Sequence, residues 1–452
     1  MKQKAVCWVF IIIFFLPIVS ADGSSIDSSF TEDESEWTVL MYYAADNPRC
    51  FDIEKDLELW KSIGSSESVN LVALIDGMQN NDTRYCVVEE GFVVELEWEE
   101  LESDLGDGQT LFRFLNASLS LFPAKKYALF VMSTHGSGWQ GLGSDTSNTS
   151  GYDRLSLLDM KDYSFAFEGI KQTFDSKIDV VAFDICVTSM MEVAYQLKDY
   201  CEVMIATQEH GFSDEASSDE GVKLGWNYSY FLSNLKAHPE LSAQEFSSSV
   251  VQSYTPGTYT FRVFDRFPAP LWFPILRCYS TLSAINLGGV QQASVALSNL
   301  SAYLIDSFSE NKQALDMARG EVREYGKLYR KFWFLPSRIY YLHLDSLGYN
   351  CFIDMYDFVK NLKGHSDDVV LSSLCDSFLD TQENVVIANN ALSTDTSHGL
   401  SVYFPQYRCQ YDVSVWRELG SKNFNQLDVG YAELDFSVNS SWDEFLCCYL
   451  NL

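Results

Sequence analysis

The segment IDVVAFDIC, residues 178–186, decides the fold. Its first six residues are apolar apart from one aspartate, without the polar alternation of a strand that has a solvent-facing side. Such a run is typical of a strand buried on both faces of a parallel sheet. The runs at 37–45, 69–75, 127–132 and 203–207 share this character, and helical patterns lie between them. The sequence therefore predicts an α/β fold whose mainly parallel sheet is covered by helices on both faces.

Two of the predicted strands are followed by reactive side chains. His135 comes after the strand at 127–132, and Cys186 comes after the strand at 178–183. Because the carboxyl ends of parallel strands meet at one edge of a sheet, we expect both side chains to face that edge. An imidazole that takes up the proton of a thiol makes it a nucleophile, which suits hydrolysis of amides or esters. The backbone amides of Gly136 and Cys186 would then form an oxyanion hole.

Each member of this pair also has an ordinary interpretation. A cysteine at the end of an apolar strand is commonly a buried structural residue, and a His-Gly dipeptide is commonly a turn. Their coincidence at two strand ends, 51 residues apart with one helix between them, favours the catalytic interpretation. A spacing of about 50 residues from the histidine to the nucleophilic cysteine is also that of caspases.

Three motifs carry a resemblance to a known family. HGSGWQG (135–141), GYDRLSL (151–157) and FDICVTSMMEVAYQL (183–197) resemble the clostripain family of cysteine peptidases, which shares a clan with caspases, legumains and gingipains. Flanking matches such as MYYAADN (41–47) and HGLSVYFP (398–405) extend the resemblance over roughly residues 37 to 405.

The resemblance implies a caspase-like α/β/α fold and hydrolysis of peptide bonds after Arg or Lys. It implies that His135 is the catalytic histidine and that Cys186 is the nucleophile. Asp184 matches the family's acid two residues before the nucleophile, which helps to floor the pocket for the P1 side chain. A carboxylate facing a buried guanidinium forms a strong charge-assisted pair, which agrees with that role. The alternative for Asp184 is a helix cap before the helical run at 189–197.

The family also implies a second acid of the P1 pocket in the loop after residue 209. Here that loop is longer and more acidic than the family pattern. Asp214 is the first candidate for this acid, and it competes with Glu215, Asp219 and Glu220.

Charge and composition limit the partners. The sequence has 63 acidic and 31 basic residues, a formal net charge of −32, and no basic cluster that would bind a phosphate backbone. We therefore exclude nucleic acid and expect protein or peptide substrates with basic residues, acted on by a monomer. No Cys/His spacing suggests zinc and no acidic spacing matches a calcium loop, so no metal ligands and no required cofactor are predicted. Calcium is expected as a cofactor only because the family resemblance implies it.

The N-terminal residues read as a secretory signal. A short basic stretch precedes an apolar run that ends at small residues, which predicts a signal peptide at 1–21 and secretion of the mature chain. An uncleaved membrane anchor is the alternative. We further predict an acidic flexible linker at 22–36 and a catalytic core at 37–240. A mainly helical part at 241–452 returns a strand (399–404) to this core.

Two other functions remain open at this point. One is a catalytically inactive clostripain-like protein that serves as a surface binding module. The other is a different thiol acyl-transfer enzyme, such as an amidase or a peptide ligase. Family members that mature by internal cleavage cut after basic residues, and the loop at 142–162 offers Arg154 and Lys161 as candidates.

Overall fold

Apolar runs from both halves of the chain assemble into one large sheet. The computed structural model describes residues 34–133, 136, 138–141, 143–145, 156–209, 224–262, 275–326, 329–331, 351–393, 395–411 and 430–452. Residues Ser35–Leu452 form one compact unit. The predicted signal peptide and most of the predicted linker lie outside the described residues.

Seventeen strands occur in the described residues. In chain order they are β1 (Ser35–Ala44), β2 (Val69–Asp76), β3 (Arg84–Glu89), β4 (Phe92–Glu95), β5 (Ala124–Met132), β6 (Ser144–Asp145), β7 (Ser156–Leu157), β8 (Ile178–Asp184), β9 (Cys201–Ala206), β10 (Thr258–Arg262), β11 (Ile275–Tyr279), β12 (Thr281–Asn286), β13 (Glu324–Tyr325), β14 (Tyr329–Lys331), β15 (Phe352–Asp354), β16 (Val386–Ala391) and β17 (Ser401–Tyr403). Nine of them form the main sheet, in the order β16-β12-β9-β8-β5-β1-β2-β3-β4. The five strands from β9 to β2 are parallel, and antiparallel strands extend the sheet at both sides.

Helices cover both faces of the main sheet. Those of the described residues are α1 (Ile53–Lys61), α2 (Gly108–Leu121), α3 (Met160–Phe174), α4 (Met191–Leu197), α5 (Tyr228–Ala237), α6 (Ala243–Ser253), α7 (Val290–Asp306), α8 (Phe308–Glu321), α9 (Met355–His365), α10 (Val369–Val385), α11 (Asp435–Asn439) and α12 (Trp442–Leu450). Capping boxes begin α3 at Asp159 and α6 at Ser242, where each side chain satisfies an otherwise unpaired amide of the first turn.

Alternating residues of β1 pack into two separate apolar layers. Leu40 and Tyr42 join residues of α2, α3 and α7 on one face, whereas Val39 and Met41 join residues of α1, α5 and α6 on the other. This alternation follows from the two-residue period of a strand. The predicted α/β class with a mainly parallel, doubly covered sheet is confirmed.

The second half of the chain adds strands that the sequence pattern did not predict. β12 lies antiparallel to β9, and β16 lies antiparallel to β12. The strand predicted at 399–404 is shorter and pairs with β15 in a separate three-stranded sheet. It still meets the predicted catalytic core, because the Ser401 amide donates to the carbonyl of Ser189 over 2.9 Å.

Candidate active site

The two strands that precede the predicted catalytic residues end side by side. β5 and β8 are parallel neighbours, and their register places Met132 opposite Asp184. Beyond the last pair, the Ser133 amide donates to the carbonyl of Asp184 over 3.4 Å. The segments that follow both strands therefore leave the sheet at the same edge.

Gly136 packs against the backbone of the predicted nucleophile. A side-chain carbon at this position would overlap the carbonyl oxygen of Cys186 and lie 2.6 Å from Cγ2 of Ile185. Only glycine allows so close an approach of two backbone segments. His135 itself lies outside the described residues, but the residue that follows it in the chain contacts Cys186.

The turn that carries Cys186 is held in a strained backbone conformation. Val187 has a φ of 54°, a left-handed value that is costly for a β-branched residue. Its amide donates to the carbonyl of Glu209 over 2.8 Å, and the amides of Thr188 and Ser189 both donate to the carbonyl of Thr207. These bonds fasten the turn to the segment after β9. Cys186 itself is partly exposed.

The glycine-rich motif after β5 packs over the same turn. Gly138 has a φ of 60° and sits against the sulfur of Met190, so both its conformation and its surroundings disfavour a side chain. Trp139 is buried and packs edge-on against Tyr403 and Tyr431. The motif therefore joins the turn of Cys186 to elements from the second half of the chain.

Two buried carboxyl groups lie in segments that adjoin the turn, Glu192 in α4 and Glu209 after β9. Glu192 accepts hydrogen bonds from the Tyr403 amide (2.9 Å) and the Tyr431 hydroxyl (2.8 Å), and burial raises its pKa to about 7. Glu209 pairs with Arg323, while burial raises the pKa of its carboxyl to about 8. Neither residue was singled out from the sequence, because nothing local distinguishes a buried glutamate from a solvated one.

Asp184 lies in a buried ion pair. Nη1 of Arg49 is 3.0 Å from its Oδ2 and donates to its backbone carbonyl over 3.3 Å. The Tyr228 hydroxyl donates to the same Oδ2 over 3.1 Å. The alternative interpretation of Asp184 as a helix cap is wrong, because α4 begins after Met190 and has no side-chain cap.

The family assignment follows from the sequence profile of the clostripain family, which matches residues 41–449. The chain belongs to the clostripain family. Clostripain of Hathewaya histolytica is 27% identical over 206 residues, which span 38% of this chain and 38% of that protein. The resemblance inferred from the motifs is therefore confirmed.

Two solved structures of the same peptidase class share the fold. An inactive zymogen C11 protease from Parabacteroides distasonis aligns with a TM-score of 0.54 at 16% identity, over 83% of this chain and 93% of that one. A secreted C11 cysteine protease from Bacteroides thetaiotaomicron, solved with an irreversible peptide inhibitor, also gives 0.54 at 17% identity, over 89% and 99% of the two chains. The predicted caspase-like architecture of this clostripain-family chain is confirmed.

The structure describes only some of the other residues predicted for the site. Asp214 and its competitors Glu215, Asp219 and Glu220 lie outside the described residues, as does Arg154. Lys161 lies in the first turn of α3, where its amide donates to the Asp159 carboxylate over 2.7 Å.

One acidic cluster has the composition of a cation site. Carboxylate oxygens of Asp46, Asp76 and Glu102 lie within 4.8 Å of one another, with Asp46 following β1 and Asp76 ending β2. Oxygen ligands of this kind suit calcium. Sequence reasoning missed this cluster because its members are far apart in the chain. Calcium use remains a prediction from the family resemblance.

The described cysteines and helices add two further observations. Nine cysteines whose side chains the structure describes form no disulfide, and they include the vicinal pair Cys447 and Cys448. No described helix has both the length and the apolarity to cross a bilayer.

Proposed function

We propose that this clostripain-family chain is a secreted cysteine endopeptidase with Cys186 as nucleophile and His135 as general acid/base. The observation that carries the proposal is the contact of Gly136 with Cys186 at the shared edge of β5 and β8. This contact brings the chain segment of the histidine to the turn of the cysteine. Secretion rests on the N-terminal signal pattern and agrees with the secreted C11 protease from Bacteroides thetaiotaomicron.

The proposed reaction is acyl transfer through a thioester. The imidazole of His135 takes the thiol proton, and the sulfur of Cys186 attacks the carbonyl carbon of the scissile bond. The backbone amides of Gly136 and Cys186 stabilise the oxyanion. His135 then protonates the leaving amine as the C–N bond breaks, and a water activated by the same imidazole hydrolyses the thioester.

The position of Cys186 differs from that of other cysteines in the sheet. Cys86 and Cys201 are fully buried within strands, and burial raises the pKa of both thiols. Such thiols are inert packing residues. Cys186 lies beyond the end of β8 and is partly exposed, which supports its role as the nucleophile.

Proteins or peptides with basic residues are the proposed substrates. The net charge of −32 attracts cationic chains, and the resemblance implies Arg or Lys at P1. Because Asp184 is paired with Arg49, the second acid, Asp214 or a competitor in its loop, would supply much of this recognition.

The test is hydrolysis of fluorogenic peptides by the full mature chain. Cys186→Ala is expected to abolish turnover and leave the circular dichroism spectrum unchanged. Cys409→Ala is the matched control, because Cys409 is an exposed thiol far along the chain, and it is expected to retain wild-type rates. Turnover by the Cys186→Ala chain would remove Cys186 from the proposed role.

An inactive binding protein is the second candidate. The Arg49–Asp184 ion pair favours it, because Asp184, the acid that the family resemblance implies in substrate binding, is already paired with an internal arginine. Absence of peptide hydrolysis, together with failure of a thiol-reactive peptide to label Cys186, would support this candidate instead.

A further inference from the structure

We infer that Arg49 is a specificity-determining residue: it acts as the internal counterion of Asp184 and weakens the recognition of basic P1 side chains by this carboxylate. The inference rests on the proposed peptidase function and on the role of Asp184 in the P1 pocket. Arg49 lies outside the sequence motifs that carry the family resemblance.

The contacts between the two residues are those of a dedicated pair. One nitrogen of Arg49, Nη1, meets both the carboxylate and the carbonyl of Asp184, at 3.0 and 3.3 Å. Tyr228 adds a hydrogen bond to the same carboxylate oxygen. All three residues are buried, so water screens the pair only weakly.

The backbone of Arg49 also lies in regular, capped structure. It lies in a short 3-10 helix, Pro48–Phe51, whose first turn is capped by Asn47. The guanidinium carbon lies 5.3 Å from the centre of the Tyr43 ring, at a distance typical of a cation–π contact. The charge that faces Asp184 is therefore part of the fold and is not a mobile surface side chain.

A second carboxylate lies nearby but is engaged elsewhere. Nη2 of Arg49 is 4.0 Å from Oδ2 of Asp56, and that oxygen accepts a 2.7 Å hydrogen bond from the Tyr43 hydroxyl. The shorter distance and the double contact assign Arg49 to Asp184. Burial by itself would lower the pKa of the Arg49 guanidinium, but Asp184 and the neighbouring phenols raise it well above its ordinary value, so the guanidinium stays charged.

The consequence for a substrate is electrostatic. A P1 guanidinium that approaches an unpaired buried carboxylate gains a strong charge-assisted hydrogen bond. A P1 guanidinium that approaches Asp184 also meets the positive charge of Arg49. Its attraction to Asp184 and its repulsion by Arg49 therefore largely offset each other. Discrimination between Arg and an uncharged P1 residue therefore depends on Arg49 as much as on the acids of the pocket.

The experiment compares peptides that differ only at P1, with Arg, Lys, norleucine or Gln. The readout is the ratio of kcat/KM for Arg to kcat/KM for norleucine, which a purely structural role of Arg49 would not move. Arg49→Gln is expected to raise this ratio by about tenfold or more, because the carboxylate is unmasked. The double variant Arg49→Gln/Asp184→Asn removes the attraction and the repulsion together, so its ratio is expected to stay within about threefold of that of wild type.

The double variant also guards against loss of the fold. Arg49→Gln alone leaves a buried carboxylate unpaired, which is destabilising, whereas the double variant removes both charges. If Arg49→Gln does not fold, the double variant decides: a ratio within about threefold of wild type supports the inference. A fall of about tenfold or more in the double variant, or an unchanged ratio in a folded Arg49→Gln chain, overturns it. Lack of any hydrolysis by wild type would instead overturn the proposed peptidase function, and this inference with it.

Discussion

Gly136 lies so close to Cys186 that any side chain at position 136 would overlap the carbonyl oxygen of the cysteine. The obstacle is backbone and cannot rotate away. The two segments can separate only if the edge of the sheet opens, so the contact links the geometry of the histidine segment to that of the thiol.

Gly136→Ala is therefore expected to lower kcat/KM on the order of 100-fold, because a shift of about 1 Å in this contact misplaces the reacting groups. Steady-state hydrolysis of a fluorogenic peptide measures it. Gly320→Ala is the matched control, since Gly320 lies in α8 with open space where a side chain would stand. Its activity is expected to match wild type, and equal activity of the two variants would contradict the account.

Glu192→Gln tests the buried carboxyl group of α4. Its pKa of about 7 in the folded protein exceeds the ordinary value of 4.5, so between these values the folded chain binds more protons than the unfolded chain. The contribution of Glu192 to stability therefore falls as pH rises from about 4.5 to 7, by at most about 3 kcal/mol. Glutamine does not titrate and escapes this loss.

Thermal melts at pH 5 and pH 8 measure the effect. The melting temperature of Glu192→Gln relative to wild type is expected to be higher at pH 8 than at pH 5. Glu433→Gln, at an exposed position, is expected to show no such dependence. A relative melting temperature of Glu192→Gln that is equal at both pH values would mean that the carboxyl group is not held in its buried position.

Tyr228→Phe tests the hydrogen bond to the buried ion pair. The substitution removes only the hydroxyl that donates to Asp184, and we expect a loss of about 1–3 kcal/mol in the free energy of unfolding. Urea unfolding monitored by fluorescence measures it. Tyr407→Phe changes an exposed tyrosine and is expected to have no effect. Equal stability of the Tyr228→Phe chain and wild type would argue that Asp184 is not held as described.

Internal processing, where it occurs in the loop at 142–162, is expected at Arg154 and not at Lys161. Cleavage after Lys161 breaks its bond to Asp162, whose amide donates to the capping carboxylate of Asp159 over 3.0 Å, so it requires the first turn of α3 to open. Intact mass spectrometry of wild type and Cys186→Ala locates the cut. A fragment ending at Lys161 in wild type alone would contradict this expectation.

The sequence predicted best the strands that are buried on both faces of the sheet. β5 and β8 are covered on both faces, so the apolar runs that form them mark both strands and the edge where they end. β16 was missed because it lies at the side of the sheet and reads VIANNA, which has neither a continuous apolar run nor a clean alternation. Its pairing with β12 joins segments about 100 residues apart, and no local sequence pattern indicates such a pairing.

The sequence offered candidates for only part of the site. Motifs point to Cys186, His135 and Gly136 as candidate residues, since each has a local sequence context. The Arg49–Asp184 pair joins residues 135 positions apart. In sequence, Arg49 follows Asn-Pro in a loop, which is typical of an exposed basic residue. Only the fold places its guanidinium beside the acid.

The central claim is that Cys186 is a nucleophile activated by His135. The most direct measurement is covalent labelling of the full chain by a thiol-reactive peptide, followed by proteolysis and mass spectrometry to locate the modified residue. We expect modification at Cys186, lost in His135→Ala, while the exposed Cys409 reacts slowly and equally in both chains. Labelling that spares Cys186, or that proceeds at the same rate without His135, would contradict the claim.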